Sequence, residues 1–148
     1  MSATLDTNIL LYASDKSSSR YVQAQQLVAR FAAGPELGYL FWPVLMGYLR
    51  IATDPIVFAR PLSLARAAAN LDALVQRPHV RVPSEGRDFW LIARAALEEV
   101  SAAGNLIPDA HLVALMRAYG VSTIWSADRD LRKFDGIRVK DPFPKPRL

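Results

Sequence analysis

Cysteine is absent from the 148 residues, and histidine occurs only as His79 and His111. Disulfide scaffolds and thiolate metal sites are thereby excluded, and a metal ion would have to be held by oxygen atoms or by those two imidazoles. No stretch approaches the roughly 20 consecutive apolar residues of a membrane span. Met1 to Ser14 lacks the basic start of a signal peptide and carries Asp6 inside its short apolar run. The expectation is a soluble, cytoplasmic protein. Repeats and low-complexity segments are also missing. The length suits one domain with its own core, residues 1–140, followed by a proline-rich tail from Asp141 to Leu148. Lysine is scarce: only four of the 18 cationic residues are lysine, and the net charge of +4 is carried by arginine. That balance suits a partner bearing phosphates or carboxylates, and equally a merely basic surface.

What is present is an alternation of short apolar segments with longer amphipathic ones. Thr4 to Ala13 reads as a buried strand running out into a loop and then a helix, with Asp6 at the change. Ser17 to Ser19 precede a helix whose apolar Val22, Leu27, Val28 and Phe31 share a face, stopped by Gly34-Pro35. Leu37 to Phe41 reads as a second strand, and Pro43 opens a helix carrying Val44, Leu45, Tyr48, Leu49 and Ala52 inward. Another helix starts at Ser63. Val80 to Val82 is a brief strand, and Phe89 to Val100 recurs at helical spacing. Pro108-Asp109 begins a further helix that Gly120 can cap in the left-handed conformation, before the buried strand Val121 to Trp125. The pattern predicts an α/β fold: a parallel sheet covered by helices on both faces, a three-layer sandwich.

In such a sheet the ligand crevice lies beyond the carboxyl ends of the strands. Asp6, Asp109 and Asp128 all occupy such places and are expected to converge. Three carboxylates in one crevice repel one another, and burial raises their pKa values unless a cation compensates. Hard oxygen ligands without cysteine or paired histidines favour Mg²⁺, with Mn²⁺ able to substitute. An ion so held suits hydrolysis of a phosphodiester by an activated water. Each aspartate has a plainer explanation as well. Asp109 after Pro108 suits a helix cap, and Asp128 and Asp130 suit turn positions. Asp6 is harder to dismiss, since a charge in an apolar strand is costly without a partner. Asn8 either bonds the loop carrying a second aspartate or serves its own turn, and Ser126 either orients Asp128 or is a turn serine. His111, about 200° round the helix from Asp109, faces away. Trp42, Trp90 and Trp125 sit in apolar segments and are expected in the core rather than as base-stacking platforms.

LDTNILLYA at 5–13, WPVLMGYLRIAT at 42–53, GNLIPDAHLVALMRAYG at 104–120 and SADRDLRKF at 126–134 together resemble the PIN-domain ribonucleases, in particular the VapC toxins of bacterial toxin–antitoxin pairs. The resemblance runs nearly end to end. It implies four or five parallel strands between helices, Mg²⁺-dependent endonuclease action on RNA, homodimerisation, and inhibition by a small VapB-type antitoxin that inserts an arginine-bearing segment into the acidic crevice. By position it makes Asp6 and Asp109 the main metal ligands, with Asp128 completing the catalytic cluster, Asp130 a weaker fourth member, and Asn8 and Ser126 supporting.

One departure stands out. The family commonly places a glutamate on the second helix, where this chain has Gly47. A subgroup with GFLRI-like text at this point is similar, so the loss need not mean inactivity, but it leaves one carboxylate fewer. It also keeps open a PIN-like binding module without useful chemistry. A haloacid-dehalogenase-type phosphatase is the enzymatic rival, but it needs an acid at the position of Asn8. Seven Lys or Arg residues lie between Arg129 and Arg147, and Arg132 and Lys133 are the candidates for steering RNA phosphates, against the alternative of a solvated face.

Overall fold

The computed structural model describes residues 2–145. Five short strands, β1 (Ala3–Leu5), β2 (Gly38–Tyr39), β3 (Val80–Arg81), β4 (Thr123–Trp125) and β5 (Arg138–Lys140), form one sheet in the order β3-β2-β1-β4-β5. Every pairing is parallel, with Leu5 opposite Trp125 and Thr4 opposite Tyr39. Six helices complete the fold: α1 (Thr7–Ala13), α2 (Tyr21–Ala33), α3 (Trp42–Ala52), α4 (Leu64–Val75), α5 (Phe89–Glu99) and α6 (Leu106–Ala118).

The sheet is buried on both faces: Thr4, Leu5 and Ile124 are fully enclosed. Side chains alternate across a strand, so the two faces can be told apart. A Cβ on Gly38 would meet the Phe31 ring of α2, which places Gly38, and hence Ala3 and Thr123 in register with it, on the α2 face. Thr4 and Ile124 point to the opposite face. There Tyr39 and Phe41 stack on one another, and Tyr119, which follows α6, lies tilted against both. No helix among the described residues is long and apolar enough to cross a membrane.

The structure departs from the sequence reading at several points. The first strand ends at Leu5 and helix α1 follows at once from Thr7, with no loop between them. Asp6 is responsible: with extended backbone (φ −83°, ψ 162°) it caps α1, its carboxylate accepting the Thr7 N–H at 2.7 Å. Ile9, Leu10 and Ala13 then fall on the buried side of the new helix. Strand β5 carries Arg138 and Lys140, so its edge position left no apolar pattern to read. Gly120 takes the expected left-handed conformation at φ +68°.

Two of the three tryptophans are not in the core: Trp42 is 43 % and Trp90 65 % exposed. A helix buries only one stripe, and these two lie outside it. Trp125 is partly buried, with the Lys140 ammonium 5.3 Å from its ring centre. Phe143, in the segment expected to hang loosely, is buried instead. It packs edge-on against Tyr12 at 5.2 Å, beneath the Arg20 guanidinium. Pro146, Arg147 and Leu148 of the expected tail lie outside the described residues.

Candidate metal centre and its acidic crevice

The strand order reverses direction at β1 and β4, since β2 lies on one side of β1 and the chain crosses over to place β4 on the other. Beyond the carboxyl ends of these two strands the connecting segments diverge and leave a crevice. Asp6 follows β1, Ser126 and Asp128 follow β4, and Asp109 projects from the first turn of α6. Continuing the alternation past Thr4 and Ile124 turns Asp6 and Ser126 toward the α6 side, and the Asp6 N–H donates to the Trp125 carbonyl at 3.0 Å.

A closed set of hydrogen bonds fixes this corner. The Ser126 hydroxyl donates to Asp6 Oδ2 at 2.7 Å and accepts from Asn8 Nδ2 at 3.2 Å and from the Asp128 N–H at 2.9 Å. Asn8 Nδ2 also reaches Asp6 Oδ2 at 3.3 Å, while its Oδ1 accepts the Ala127 N–H at 3.2 Å. The hydroxyl has thus used its proton and both lone pairs, and the amide both its protons, on one another, on Asp6 and on the loop that carries Asp128. Of the alternatives open for Asn8 and Ser126, the structure therefore has both residues joining β1 to the β4 loop.

Carboxylate oxygens of Asp109, Asp128 and Asp130 lie within 4.8 Å of one another. Asp128 is also a turn residue, accepting the Asp130 N–H at 2.9 Å, so the plain role and membership of the cluster coexist. Asp109 is not a helix cap: α6 begins three residues earlier, at Leu106, with Asn105 at the cap position. Asp6 lies outside the tight trio, and Asp130 lies inside it. Asp130 also takes an ion pair from Lys133 at 3.1 Å. The signal in the sequence was the Asp-x-Asp spacing, which a turn brings to one side.

Like charges at this spacing resist ionisation. Asp109 is pushed up to about 7, first by burial and then by the charges of Asp128, Asp6 and Asp130. Asp6 is also raised, chiefly by burial, while the Ser126 and Thr7 hydrogen bonds act in the opposite direction. The donor set, all carboxylate oxygen with no soft ligand, fits a hard divalent cation, whose charge would relieve this repulsion. Neither histidine belongs to the site. His111 Nε2 meets Glu85 Oε1 at 2.8 Å and packs against Phe89, and His79 Nε2 meets the Phe31 carbonyl at 2.8 Å.

Gly47 does look toward this corner: a Cβ there would sit 3.3 Å from Thr7 Oγ1, next to Asp6. Arg132 and Lys133 lie in the 3-10 turn Arg129–Lys133, directly after Asp128, and both are exposed.

Residues 3–137 match the family model of the PIN domain. The chain is 50 % identical over 143 residues to Ribonuclease VapC48 of Mycobacterium tuberculosis, covering 97 % of this chain and 99 % of that protein. It is 33 % identical over 140 residues to Ribonuclease VapC43 of the same organism, covering 94 % of each. Among solved structures, the crystal structure of Mycobacterium tuberculosis VapC20, described as a sarcin-ricin loop cleaving toxin, superposes with a TM-score of 0.64 at 21 % identity, covering 92 % of this chain and 98 % of that one. VapBC2 from Rickettsia felis, bound to a DNA fragment from its promoter, gives a TM-score of 0.63 at 16 % identity, covering 95 % and 98 %. With the fold, the acidic crevice and the relatives in agreement, the chain belongs to the PIN-domain family, in its VapC branch.

Proposed function

We propose that the protein is a divalent-metal-dependent endoribonuclease acting as the toxin of a VapBC-type toxin–antitoxin pair. The observation that carries this reading is the meeting of Asp109, Asp128 and Asp130 within 4.8 Å, with Asp6 held beside them by Ser126 and Asn8. The names of the relatives, ribonucleases at up to 50 % identity over nearly the whole length, support it.

Asp6, Asp109 and Asp128 would hold the ion, Mg²⁺ or in its place Mn²⁺, with Asp130 adjoining. Bound there, such an ion supplies neutralising charge, polarisation of a phosphoryl oxygen and a lowered pKa for water. Asp109 is half-protonated near neutral pH in the bare cluster and is the residue whose proton a cation displaces. Ser126 and Asn8 hold Asp6 in one orientation, the Ser126 hydroxyl and the Asn8 NH₂ having no proton left to offer. Arg132, exposed beside the crevice, and Lys133 are placed to draw RNA phosphates toward carboxylates that would otherwise repel them.

An antitoxin would silence the site by putting an arginine among these carboxylates. Homodimerisation is part of the same reading, and exposed Trp90, Leu91 and Ile107 offer apolar surface for it. RNA and antitoxin both place the protein in the cytoplasm.

The experiment is incubation of the purified, antitoxin-free protein with structured RNA and Mg²⁺ or Mn²⁺, against a chelator control and Asp6→Asn. Metal-dependent cleavage lost in the variant is the expected result. Turnover of a phosphomonoester instead would favour the phosphatase, although Asn8, an amide whose two protons are both bonded, does not suit that reaction's acid. RNA binding without cleavage would leave the binding module that the loss of a carboxylate at Gly47 kept open.

A further inference from the structure

Helix α3 has one face that nothing in the fold covers. Val44, Leu45, Tyr48 and Ala52 are buried, whereas Trp42, Met46 and Arg50, spaced by four residues, are exposed, the first two at 43 % and 51 %. At 100° per residue these three fall within an arc of about 80°, rising about 12 Å along the helix. Pro43 and Gly47 lie between this stripe and the buried face, on one side of it. That side is the one turned to the crevice, because Gly47 is the position that meets Thr7, the neighbour of Asp6. The helix also starts at the carboxyl end of β2, alongside β1, so Trp42 stands at the end of the sheet where the carboxylates are gathered.

We infer that Trp42 and Met46 form a platform on which an unpaired base flanking the scissile phosphate stacks, with Arg50 contacting the next phosphate. This rests on the ribonuclease reading. The chemistry of the stripe matches such an occupant: an indole face and a thioether for a base, then a guanidinium with no ion pair among the described residues. Gly47 packs closely on Thr7, an added Cβ lying 3.3 Å from Thr7 Oγ1, so no side chain from this position stands between crevice and platform. A glutamate there would put a long anionic side chain beside the platform, where a polyanion would meet it.

The test uses an oligoribonucleotide that the wild-type protein cuts at one mapped bond, and versions with a single abasic ribose at each of the two nucleotides on either side. Removing the stacked base should raise the wild-type KM roughly tenfold at one of these positions, with kcat little changed. Trp42→Ala should show the same loss on the intact RNA and no further loss on that abasic version, Trp42→Phe should recover most of it, and Arg50→Gln should raise KM by an amount that shrinks with added salt. Thermal melts check that the variants remain folded, and sedimentation reports their oligomeric state. Equal losses for Trp42→Ala on intact and abasic RNA, or no loss at all, would overturn the platform. A change of Trp42→Ala from dimer to monomer with a fall in kcat would assign the stripe to a second copy of the chain and overturn it too. In those cases wild-type cleavage still stands, whereas a wild-type protein that cuts no RNA removes the ribonuclease reading and the platform together.

Discussion

A serine hydroxyl shows how closely this site is determined. Ser126 is 1 % exposed, and its hydroxyl donates to Asp6 and accepts from Asn8 and the Asp128 N–H. Groups that orient metal ligands typically contribute 10- to 100-fold to affinity or activity. Ser126→Ala should therefore lower kcat/KM by roughly 10- to 100-fold while raising the metal concentration needed for half-maximal rate. An unchanged metal requirement would show that the hydroxyl serves the turn alone. Asp109 carries a second consequence. Its pKa is about 7 in the folded chain, against about 3.9 unfolded, so the metal-free fold binds this proton more tightly than the unfolded chain does. The stability that this proton contributes to the metal-free protein is then lost as pH rises from about 4 through 7. Asp109→Asn removes that loss, and should raise the metal-free melting temperature at pH 8, corresponding to about 1–2 kcal/mol once solvent screening of a partly exposed group is allowed for. The difference from wild type should close toward pH 4.

Among the elements, helix α1 was legible as the end of a strand-to-helix run but not in its start. The sequence reading put a loop between strand and helix, whereas the Asp6 carboxylate caps α1 directly at Thr7. The same residue thus ends β1, starts α1 and faces the crevice, and a charge at the end of an apolar strand is the mark it leaves in the sequence. Helices α3 to α6 were legible from their buried stripes; β5 was not, because an edge strand of Arg138, Val139 and Lys140 carries no apolar run. The proximity of Asp130 to Asp109 depends on a turn after β4 and on the position of α6, neither of which spacing alone reports. Packing between elements gives a further prediction. Tyr48, almost fully buried on α3, shares its hydroxyl with Ser14 at 2.7 Å and Asn70 at 3.0 Å, tying α3 to the end of α1 and to α4. Tyr48→Phe keeps the ring but leaves those partners short of one bond, and should cost about 1 kcal/mol in denaturant unfolding without altering kcat.

For the whole molecule, the question is how an acidic crevice receives a polyanion. The chain carries a net charge of +4, and Arg129, Arg132 and Lys133 follow directly after Asp128. Reversing the charge of Arg132 and Lys133 together should weaken RNA binding and flatten its dependence on salt, by up to about two ions in the slope. Lys133 contributes the smaller share, because it already pairs with Asp130. Binding and salt slope that stay as in wild type would place the RNA path elsewhere. The acidic cluster itself is tested most directly by titrating Mn²⁺ into the metal-free protein at pH 7 in a calorimeter, in buffers of different ionisation enthalpy. A carboxyl with pKa about 7 is half-protonated there, so each ion bound should release about half a proton, and Asp109→Asn should abolish that release and weaken binding. No saturable binding, or the same affinity and proton release in the variant, would contradict a metal centre built on these aspartates.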